Sequence, residues 1–275
     1  MTEAPHLHRI SLFITKRCNL RCRHCAVFAP YDQKPRQLSA ELVAKLLKTF
    51  FQMVDSVDIF TINGGEPLTH SELPRVLKNV FAWSDRVRDR FDILSNGSLD
   101  ISPDALPLMA AQGQKLRMII DDYGPLSPKV AGLRNSLAES GIPFSVNAFH
   151  ADHPLYGGWI DFTDHRFRHR SRLEQERLTS ECRVNIRNML LIEENGEIYR
   201  CSRSYWRNNL GLYPKPVGEA VNLLDESTSI EEKREQLLQL IALPTLSACA
   251  YCDGFTDSRQ RHQPAEQLPP GRQEL

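Results

Sequence analysis

The first half of the chain alternates apolar runs typical of β-strands with amphipathic segments typical of helices. The strand-like runs begin near Arg9, Val57, Phe91, Leu116 and Pro143. Helix signals lie between them: Ser39 precedes an apolar stripe, and serine–proline pairs at 102–103 and 127–128 suit helix starts. Because strands that alternate with helices pair in parallel, this pattern predicts an α/β fold with a helix-covered parallel sheet.

Polar sequences follow each of the first four strand-like runs. They are the cysteine-bearing segment 18–25, the turn Gly64-Gly65-Glu66-Pro67, the loop that begins Ser95-Asn96, and the segment that begins with Asp121. Since the carboxyl ends of parallel strands open on one face of a barrel or partial barrel, these segments are expected to meet there. The sequence therefore predicts one active site built from all four loops.

The seven cysteines fall into two groups. Cys18, Cys22 and Cys25 form a C-x3-C-x2-C pattern, which suits an iron–sulfur cluster that is held at three irons and open at the fourth. The other four can ligate a second cluster completely; they are Cys182, Cys201, Cys249 and Cys252. For the first group the alternatives are a zinc site or buried free thiols. For the second group the alternative is zinc, because a zinc ribbon also combines a hairpin with C-x2-C.

Together, the cysteine motif and the Gly64-Gly65-Glu66-Pro67 turn resemble the radical S-adenosylmethionine (SAM) superfamily. The resemblance implies a partial (β/α)6 barrel, a 4Fe–4S cluster on the first three cysteines, and SAM bound at the open iron. It also implies SAM contacts from Gly64, Gly65, Glu66, Pro67, Ser95, Asn96 and Asp121, with the Glu66 carboxylate on the SAM ammonium group. The glycines are expected to let backbone approach the ligand closely.

The pattern changes after about residue 150. Asn195-Gly196 separates two apolar runs, which is a hairpin signal, and Cys182 and Cys201 flank the hairpin. With the later Cys249-x2-Cys252, this half resembles the twitch domain, a shortened SPASM module that holds an auxiliary 4Fe–4S cluster. We therefore expect a radical SAM core at 1–155, a substrate loop and twitch domain at 156–255, and a flexible tail at 256–275.

The stretch 150–177 is rich in histidine and arginine. His150 follows the fifth strand-like run, which places it nearest the open face and makes it the candidate base for the substrate. The other histidines are His153, His165 and His169. Four arginines could clamp a phosphate or carboxylate of the substrate; they are Arg166, Arg168, Arg170 and Arg172. A solvated basic loop is the alternative.

Length and charge narrow the function classes. The chain has 275 residues, a formal net charge of +0 and a pI of about 7.1, so its overall charge does not favour nucleic acid or an anionic membrane as a partner. Its N-terminus lacks the apolar core of a signal peptide, and no stretch is long enough to span a bilayer. A cytoplasmic, reducing location is therefore expected, which favours metal ligation over disulfides.

The resemblance also implies the reaction. An electron from a reductant such as flavodoxin or ferredoxin cleaves SAM, and the resulting 5′-deoxyadenosyl radical takes a hydrogen atom from a small-molecule substrate. The short chain and the cysteine layout are similar to the 2-deoxy-scyllo-inosamine dehydrogenase type. This similarity predicts oxidation of a secondary alcohol or amine on an amino sugar or cyclitol in a biosynthetic pathway.

Three alternatives remain open. A sugar or peptide epimerase often uses a thiol as hydrogen donor, and here the two clusters consume every cysteine, although a tyrosine can substitute. A ribosomal-peptide-modifying enzyme often carries an extra N-terminal domain, whereas here the first strand-like run starts within about ten residues of Met1. A non-enzymatic electron carrier or zinc-stabilised binding module leaves the open cluster site unexplained.

Overall fold

The computed structural model describes residues 3–186 and 189–269 of the 275-residue chain. Its first half alternates strands and helices. The elements are β1 (His6–Thr15), α1 (Ala40–Met53), β2 (Ser56–Gly64), α2 (Leu73–Phe81), β3 (Val87–Ser95), α3 (Leu106–Ala110), β4 (Leu116–Asp122), α4 (Val130–Glu139) and β5 (Phe144–Ala148). Strands β1 to β5 pair in sequence order and in parallel, which confirms the predicted α/β fold with a parallel sheet.

The second half of the chain adds to the same sheet. Its elements are α5 (Arg172–Glu181), α6 (Arg183–Ile186), β6 (Met189–Ile192), β7 (Glu197–Tyr199), α7 (Ser202–Asn209), β8 (Val221–Asn222) and α8 (Ile230–Ala242). Strand β6 pairs in parallel with β1, and β7 and β8 continue the sheet in antiparallel, giving the order β5-β4-β3-β2-β1-β6-β7-β8. The hairpin that was expected within a separate small domain therefore extends the main sheet at its β1 edge.

The sixth parallel strand differs in position from that of a (β/α)6 barrel built in sequence order. Such a barrel would place the sixth strand beside β5, whereas β6 lies beside β1. β6 has the sequence Met-Leu-Leu-Ile, and three of its four side chains are buried. Because an inner strand of a parallel sheet is covered on both faces, this apolar run suits a central position. Strand β5, which ends the sheet on the other side, is more exposed.

Helices α1, α2 and α8 cover the sheet with apolar faces. Ser39 caps α1 by accepting a hydrogen bond from the Leu42 N–H, and Ser229 forms a capping box with Glu232 at the start of α8. The fully buried core side chains of these helices include Val43, Leu46, Leu47, Phe50, Val76, Leu77, Leu237 and Leu240. This core fixes the strand ends that carry the loops of the site. Within residues 3–186 and 189–269, no helix combines the length and apolarity needed to cross a bilayer.

Residues 256–269 of the predicted tail, which we call the C-terminal strap, contact two earlier segments of the chain. The strap pairs with the cysteine segment through a bridge between Cys22 and Gln267, and with the loop after β5 through a bridge between Trp159 and His262. A polar, proline-bearing sequence does not reveal such contacts, because they are made with distant backbone. Residues 270–275 of the predicted tail lie outside the described residues.

Candidate active site

The segment between β1 and α1 carries Cys18, Cys22 and Cys25. The Cys25 N–H donates to the Cys22 carbonyl at 3.2 Å, and the Leu20 N–H donates to the Cys18 sulfur at 3.4 Å, so the segment forms a compact turn. Burial raises the pKa of Cys18 and of Cys22 to about 12, and the nearby Cys25 adds to the rise. Buried thiols need a positive partner to become thiolates, and an iron–sulfur cluster supplies one.

The turn after β2 holds this segment from the side. The Gly65 N–H donates to the Thr15 carbonyl and the Glu66 N–H donates to the Arg17 carbonyl, each at 2.8 Å. A Cβ on Gly64 would lie 2.4 Å from the Thr15 oxygen, and one on Gly65 would lie 2.4 Å from the Arg17 oxygen. The two glycines therefore let β2 approach the backbone that leads into the cysteines, whereas the sequence suggests that they admit a ligand.

Glu66 is fully buried at the centre of the loops. Pro67 begins a short 3-10 turn, so one Glu66 carboxylate oxygen accepts from the Leu68 N–H at 3.0 Å, while the other accepts from the Asn96 N–H at 2.7 Å. Burial raises the pKa of this carboxyl to about 7, against the effect of both hydrogen bonds. None of the ion pairs among the described residues includes Glu66. An ammonium group of a ligand would offset the cost of this burial.

The loop after β3 places Ser95 and Asn96 beside Glu66. The Asn96 side-chain amide lies 3.0 Å from the Asn19 side-chain oxygen and 3.8 Å from the Cys18 sulfur. The Ser95 side chain is buried and hydrogen-bonds toward Glu66, which lowers the pKa of that carboxyl. The loops after β2 and β3 thus bring their predicted SAM residues together with the first cysteine.

Asp121, near the end of β4, adds a second carboxyl group to the set formed by Glu66, Ser95 and Asn96. Its carboxylate accepts from the Asn147 side-chain amide at 2.9 Å and lies 3.5 Å from the Tyr123 hydroxyl. Burial raises the pKa of Asp121 to about 6, and the charge of Asp121 in turn raises the pKa of Glu66.

Tyr123 is a site residue that the sequence prediction missed. Burial raises its pKa well above the usual value, and the charges of Asp121 and of the three N-terminal cysteines add to the rise. The signal that could have found it is its position directly after β4, two residues beyond Asp121.

His150 lies at the rim of the site and not among these residues. Its Nε2 is 3.2 Å from the Asp122 carboxylate, and 43% of its side chain is exposed. It lines an open pocket of about 570 Å³ together with Tyr123 and the strap residues Arg261 and His262. No hydrogen bond or ion pair within the described part of the chain joins His150 to Glu66 or to Asp121.

The other histidines of the 150–177 stretch separate into exposed and buried positions. His153 and His169 are exposed. His165 accepts a hydrogen bond from Arg207 Nε at 3.1 Å, and burial, together with the charge of Arg207, lowers its pKa to about 4. His165 is therefore neutral at physiological pH.

The arginines of this stretch do not form the predicted clamp for a phosphate or carboxylate. Arg168 and Arg170 both pair with Asp253, and Arg170 also donates to the Cys252 carbonyl at 2.7 Å. Arg166 and Arg172 pair with neighbouring carboxylates. Asp253 therefore neutralises the guanidinium groups of Arg168 and Arg170 beside the second cysteine group.

The four remaining cysteines line a single pocket. Cys182 lies between α5 and α6, Cys201 precedes α7, and Cys249 and Cys252 follow α8. Within the described ranges, no three histidine, cysteine or acidic side chains come close enough to hold one metal ion. Four cysteine thiols around one pocket are a donor set that a 4Fe–4S cluster or a zinc ion can take.

Three arginines line the same pocket: Arg200, Arg203 and Arg207. Arg203 is 5% exposed and Arg207 is 1% exposed, and Arg207 Nη1 is buried without a hydrogen-bond partner. The charge of Arg203 opposes the rise that burial causes in the pKa of Cys201. Buried positive charge favours an anionic occupant, and a cluster bound by four thiolates is anionic. The residues present therefore fit an auxiliary 4Fe–4S cluster.

Lys16 links the cysteine segment to the turn between β6 and β7. Its fully buried ammonium lies 2.8 Å from a Glu193 oxygen, 3.6 Å from a Glu194 oxygen and 4.5 Å from the centre of the Trp206 ring. The other Glu193 oxygen has no partner, and burial raises the pKa of Glu193 to about 7. These residues were missed from the sequence, where the signal is a pair of acidic residues directly after an apolar strand.

Comparison with known protein families covers the part of the chain that holds the first cysteine group. Residues 12–124 match the family model described as the radical SAM superfamily. The matched segment includes the three N-terminal cysteines, the turn that carries Glu66, and Asp121.

Solved structures share the fold of this chain. The crystal structure of BtrN in complex with AdoMet and 2-DOIA has a TM-score of 0.58 at 13% sequence identity, covering 95% of this chain and 98% of that one. His6-tagged anSMEcpe with bound AdoMet has a TM-score of 0.55 at 13% identity, covering 94% of this chain and 92% of that one. At such low identity the likeness concerns the fold alone.

Curated relatives align with about half of the chain. A probable GTP 3',8-cyclase of Methanococcus maripaludis is 28% identical over 137 residues, which is 49% of this chain and 44% of the relative. An AdoMet-dependent heme synthase of Oleidesulfovibrio alaskensis is 26% identical over 157 residues, which is 52% of this chain and 38% of the relative. The chain thus spans less than half the length of these two relatives.

Proposed function

We propose that this protein is a radical SAM oxidoreductase that oxidises a secondary alcohol or amine of a small polar molecule, such as an amino sugar or cyclitol, in a biosynthetic pathway. The observation that carries the proposal is the convergence of the four later cysteines on one pocket. With three cysteines on one cluster and four on another, none of the seven remains as a hydrogen donor. The chemistry supplied by the bound cofactors is hydrogen-atom abstraction and one-electron acceptance.

The residues of the chain would hold and orient these cofactors. Cys18, Cys22 and Cys25 would bind the cluster that carries SAM, and a flavodoxin or ferredoxin would reduce it. Glu66 would pair with the SAM ammonium group, because its buried carboxylate has no cationic partner in the described residues. Asp121 would contact the ribose, since it lies near the end of β4, the strand next to the one that leads into Asn96.

The charge of the interior supports a substrate with an amine. Four carboxyl groups lie at this end of the sheet against one fully buried lysine, Lys16; they are Glu66, Asp121, Glu193 and Glu194. Because buried carboxylates without counterions are costly, cationic ligands stabilise such a site. The sulfonium and ammonium groups of SAM supply positive charge, and an amino group on the substrate would supply more.

His150 and Asp122 are the proposed base for the reaction. The substrate loses a hydrogen atom from carbon, then a proton from its hydroxyl or amine, and an electron to the auxiliary site, which leaves a ketone or imine. His150 Nε2 lies 3.2 Å from Asp122, so a proton taken by the imidazole would be stabilised by that carboxylate.

An epimerase is the second candidate function, and Tyr123 is the observation that favours it. Its hydroxyl lies 3.5 Å from the Asp121 carboxylate and could return a hydrogen atom to the substrate radical in place of a thiol. No feature of residues 3–186 and 189–269 specifically favours the peptide-modifying alternative.

The test is the isotopic composition of the product. With SAM, reductant and an amino-cyclitol or amino-sugar substrate in deuterium oxide, a dehydrogenase gives a product about two mass units lighter, with no deuterium at the reacting carbon. A product of unchanged composition that gains one solvent deuterium there, with inverted configuration, would establish the epimerase and contradict the proposal.

A further inference from the structure

The pocket of the four cysteines holds positive charge that its own structure leaves unneutralised. Arg207 donates from Nε to His165 Nδ1 at 3.1 Å and from Nη2 to the Phe162 carbonyl at 3.4 Å, while its Nη1 has no partner. The Arg203 guanidinium carbon lies 3.8 Å from the centre of the Phe162 ring. His165, which burial keeps neutral, and Phe162 offer no negative charge to either arginine.

Two nearby arginines that do not line this pocket have an acidic partner. Arg168 and Arg170, which approach the Cys249–Cys252 loop from outside, both pair with Asp253. None of the ion pairs found among the described residues includes Arg203 or Arg207, although the two are almost completely buried. Because an unpaired buried guanidinium is costly, these two positions indicate an anionic occupant of the pocket.

Reduction of an iron–sulfur cluster adds an electron to a group that is already negative. Buried cations stabilise the reduced form more than the oxidised form, so they raise the reduction potential. We propose that Arg203 and Arg207 are positioning residues that raise the reduction potential of the auxiliary cluster and thereby enable it to accept an electron from the substrate. This inference rests on the proposed function, which requires both the auxiliary cluster and a net oxidation.

The test is a redox titration, followed by electron paramagnetic resonance, of the reconstituted full-length chain with Cys18→Ala, Cys22→Ala and Cys25→Ala, so that one cluster gives the signal. Arg203→Met and Arg207→Met should each shift the ratio of reduced to oxidised cluster about tenfold toward oxidised, which is about 59 mV for a one-electron couple. Lysine at either position keeps the charge and should recover most of the shift. Arg177→Met, on the exposed face of α5, should leave the potential unchanged.

Iron content separates failure of the inference from failure of the proposed function. Methionine variants that hold about four irons and titrate at the potential of the parent would overturn the inference and leave the function intact. A parent protein without an iron–sulfur signal at the four cysteines would overturn the cluster assignment, and the proposed function with it. If Arg207→Met fails to retain iron, the result for Arg203→Met decides the outcome.

Discussion

Gly65→Ala should damage the cysteine segment without touching a cysteine. The new Cβ would lie 2.4 Å from the Arg17 oxygen, 2.8 Å from the Arg17 carbonyl carbon and 2.9 Å from the Lys16 oxygen. All three are backbone atoms, so no side-chain rotation relieves the overlap and the segment before Cys18 must move. The movement would also stretch the 2.8 Å hydrogen bond from the Glu66 N–H to the Arg17 carbonyl.

The size of the effect follows from these contacts. Overpacking costs about 1–3 kcal/mol and a lost backbone hydrogen bond about 0.5–1.5 kcal/mol, while alanine gains about 0.4–1 kcal/mol by restricting the unfolded chain. The free energy of unfolding should therefore fall by about 0.5–4 kcal/mol. Urea denaturation of the apoprotein measures this, and iron analysis after reconstitution measures the loss at the first cluster.

Gly132→Ala is the matched control for the substitution at Gly65. Gly132 lies inside α4, where the nearest atom to a new Cβ is an Asp100 oxygen at 3.9 Å. Alanine is a better helix former than glycine, so this variant should gain about 0.5–1 kcal/mol. A Gly65→Ala protein that is as stable as wild type and holds a full complement of iron would refute the role assigned to the glycine.

Three further predictions concern Glu66 and the strap. Glu66→Gln should weaken SAM binding by about 1.5–3 kcal/mol, measured by calorimetry, while iron content stays at the wild-type level; equal affinity would remove Glu66 from the SAM site. Burial raises the pKa of the Glu66 carboxyl from 4.5 to about 7, so the folded apoprotein binds the carboxyl proton more tightly than the unfolded chain does. The contribution of Glu66 to the free energy of unfolding therefore falls as pH rises between those values. Urea denaturation across that pH range should show a flatter slope for Glu66→Gln, and an identical slope would contradict this. Gln267→Leu removes the 3.3 Å hydrogen bond to the Cys22 sulfur and the 2.8 Å hydrogen bond from the Arg21 N–H. A chelator should therefore remove iron from the first cluster of this variant faster than from the wild-type protein. The control is Gln239→Leu, an exposed position on α8, which should lose iron at the wild-type rate.

Local signals predicted much of the fold. Strand-like runs and caps such as Ser39 specify elements through the nearest few residues, and the parallel order of β1 to β5 follows from their alternation with helices. The place of β6 depends on which sheet edge its apolar face can cover, and that is settled by tertiary packing. Its pairing with β1 was therefore not predictable from its own sequence.

The residues of the candidate site were likewise predictable only in part. Cysteine spacing and the Glu66 turn were visible because the chemistry needs those residue types in that order. The strap, Tyr123 and the Lys16–Glu193 pair were not, since each depends on a contact between residues distant in sequence or on the direction of one side chain. The pairing of Arg168 with Asp253 likewise joins positions 85 apart, so the sequence offered an anion clamp where the structure has an ion pair.

The iron count of the anaerobically reconstituted protein and two cysteine variants tests the central claim most directly. The wild-type chain should hold about eight irons, with a Mössbauer spectrum of two 4Fe–4S clusters. Cys18→Ala with Cys22→Ala and Cys25→Ala should leave about four, and Cys249→Ala with Cys252→Ala should leave about four at the other site. A wild-type protein with about four irons and a stoichiometric zinc ion, lost when Cys249 and Cys252 are replaced, would contradict the two-cluster account.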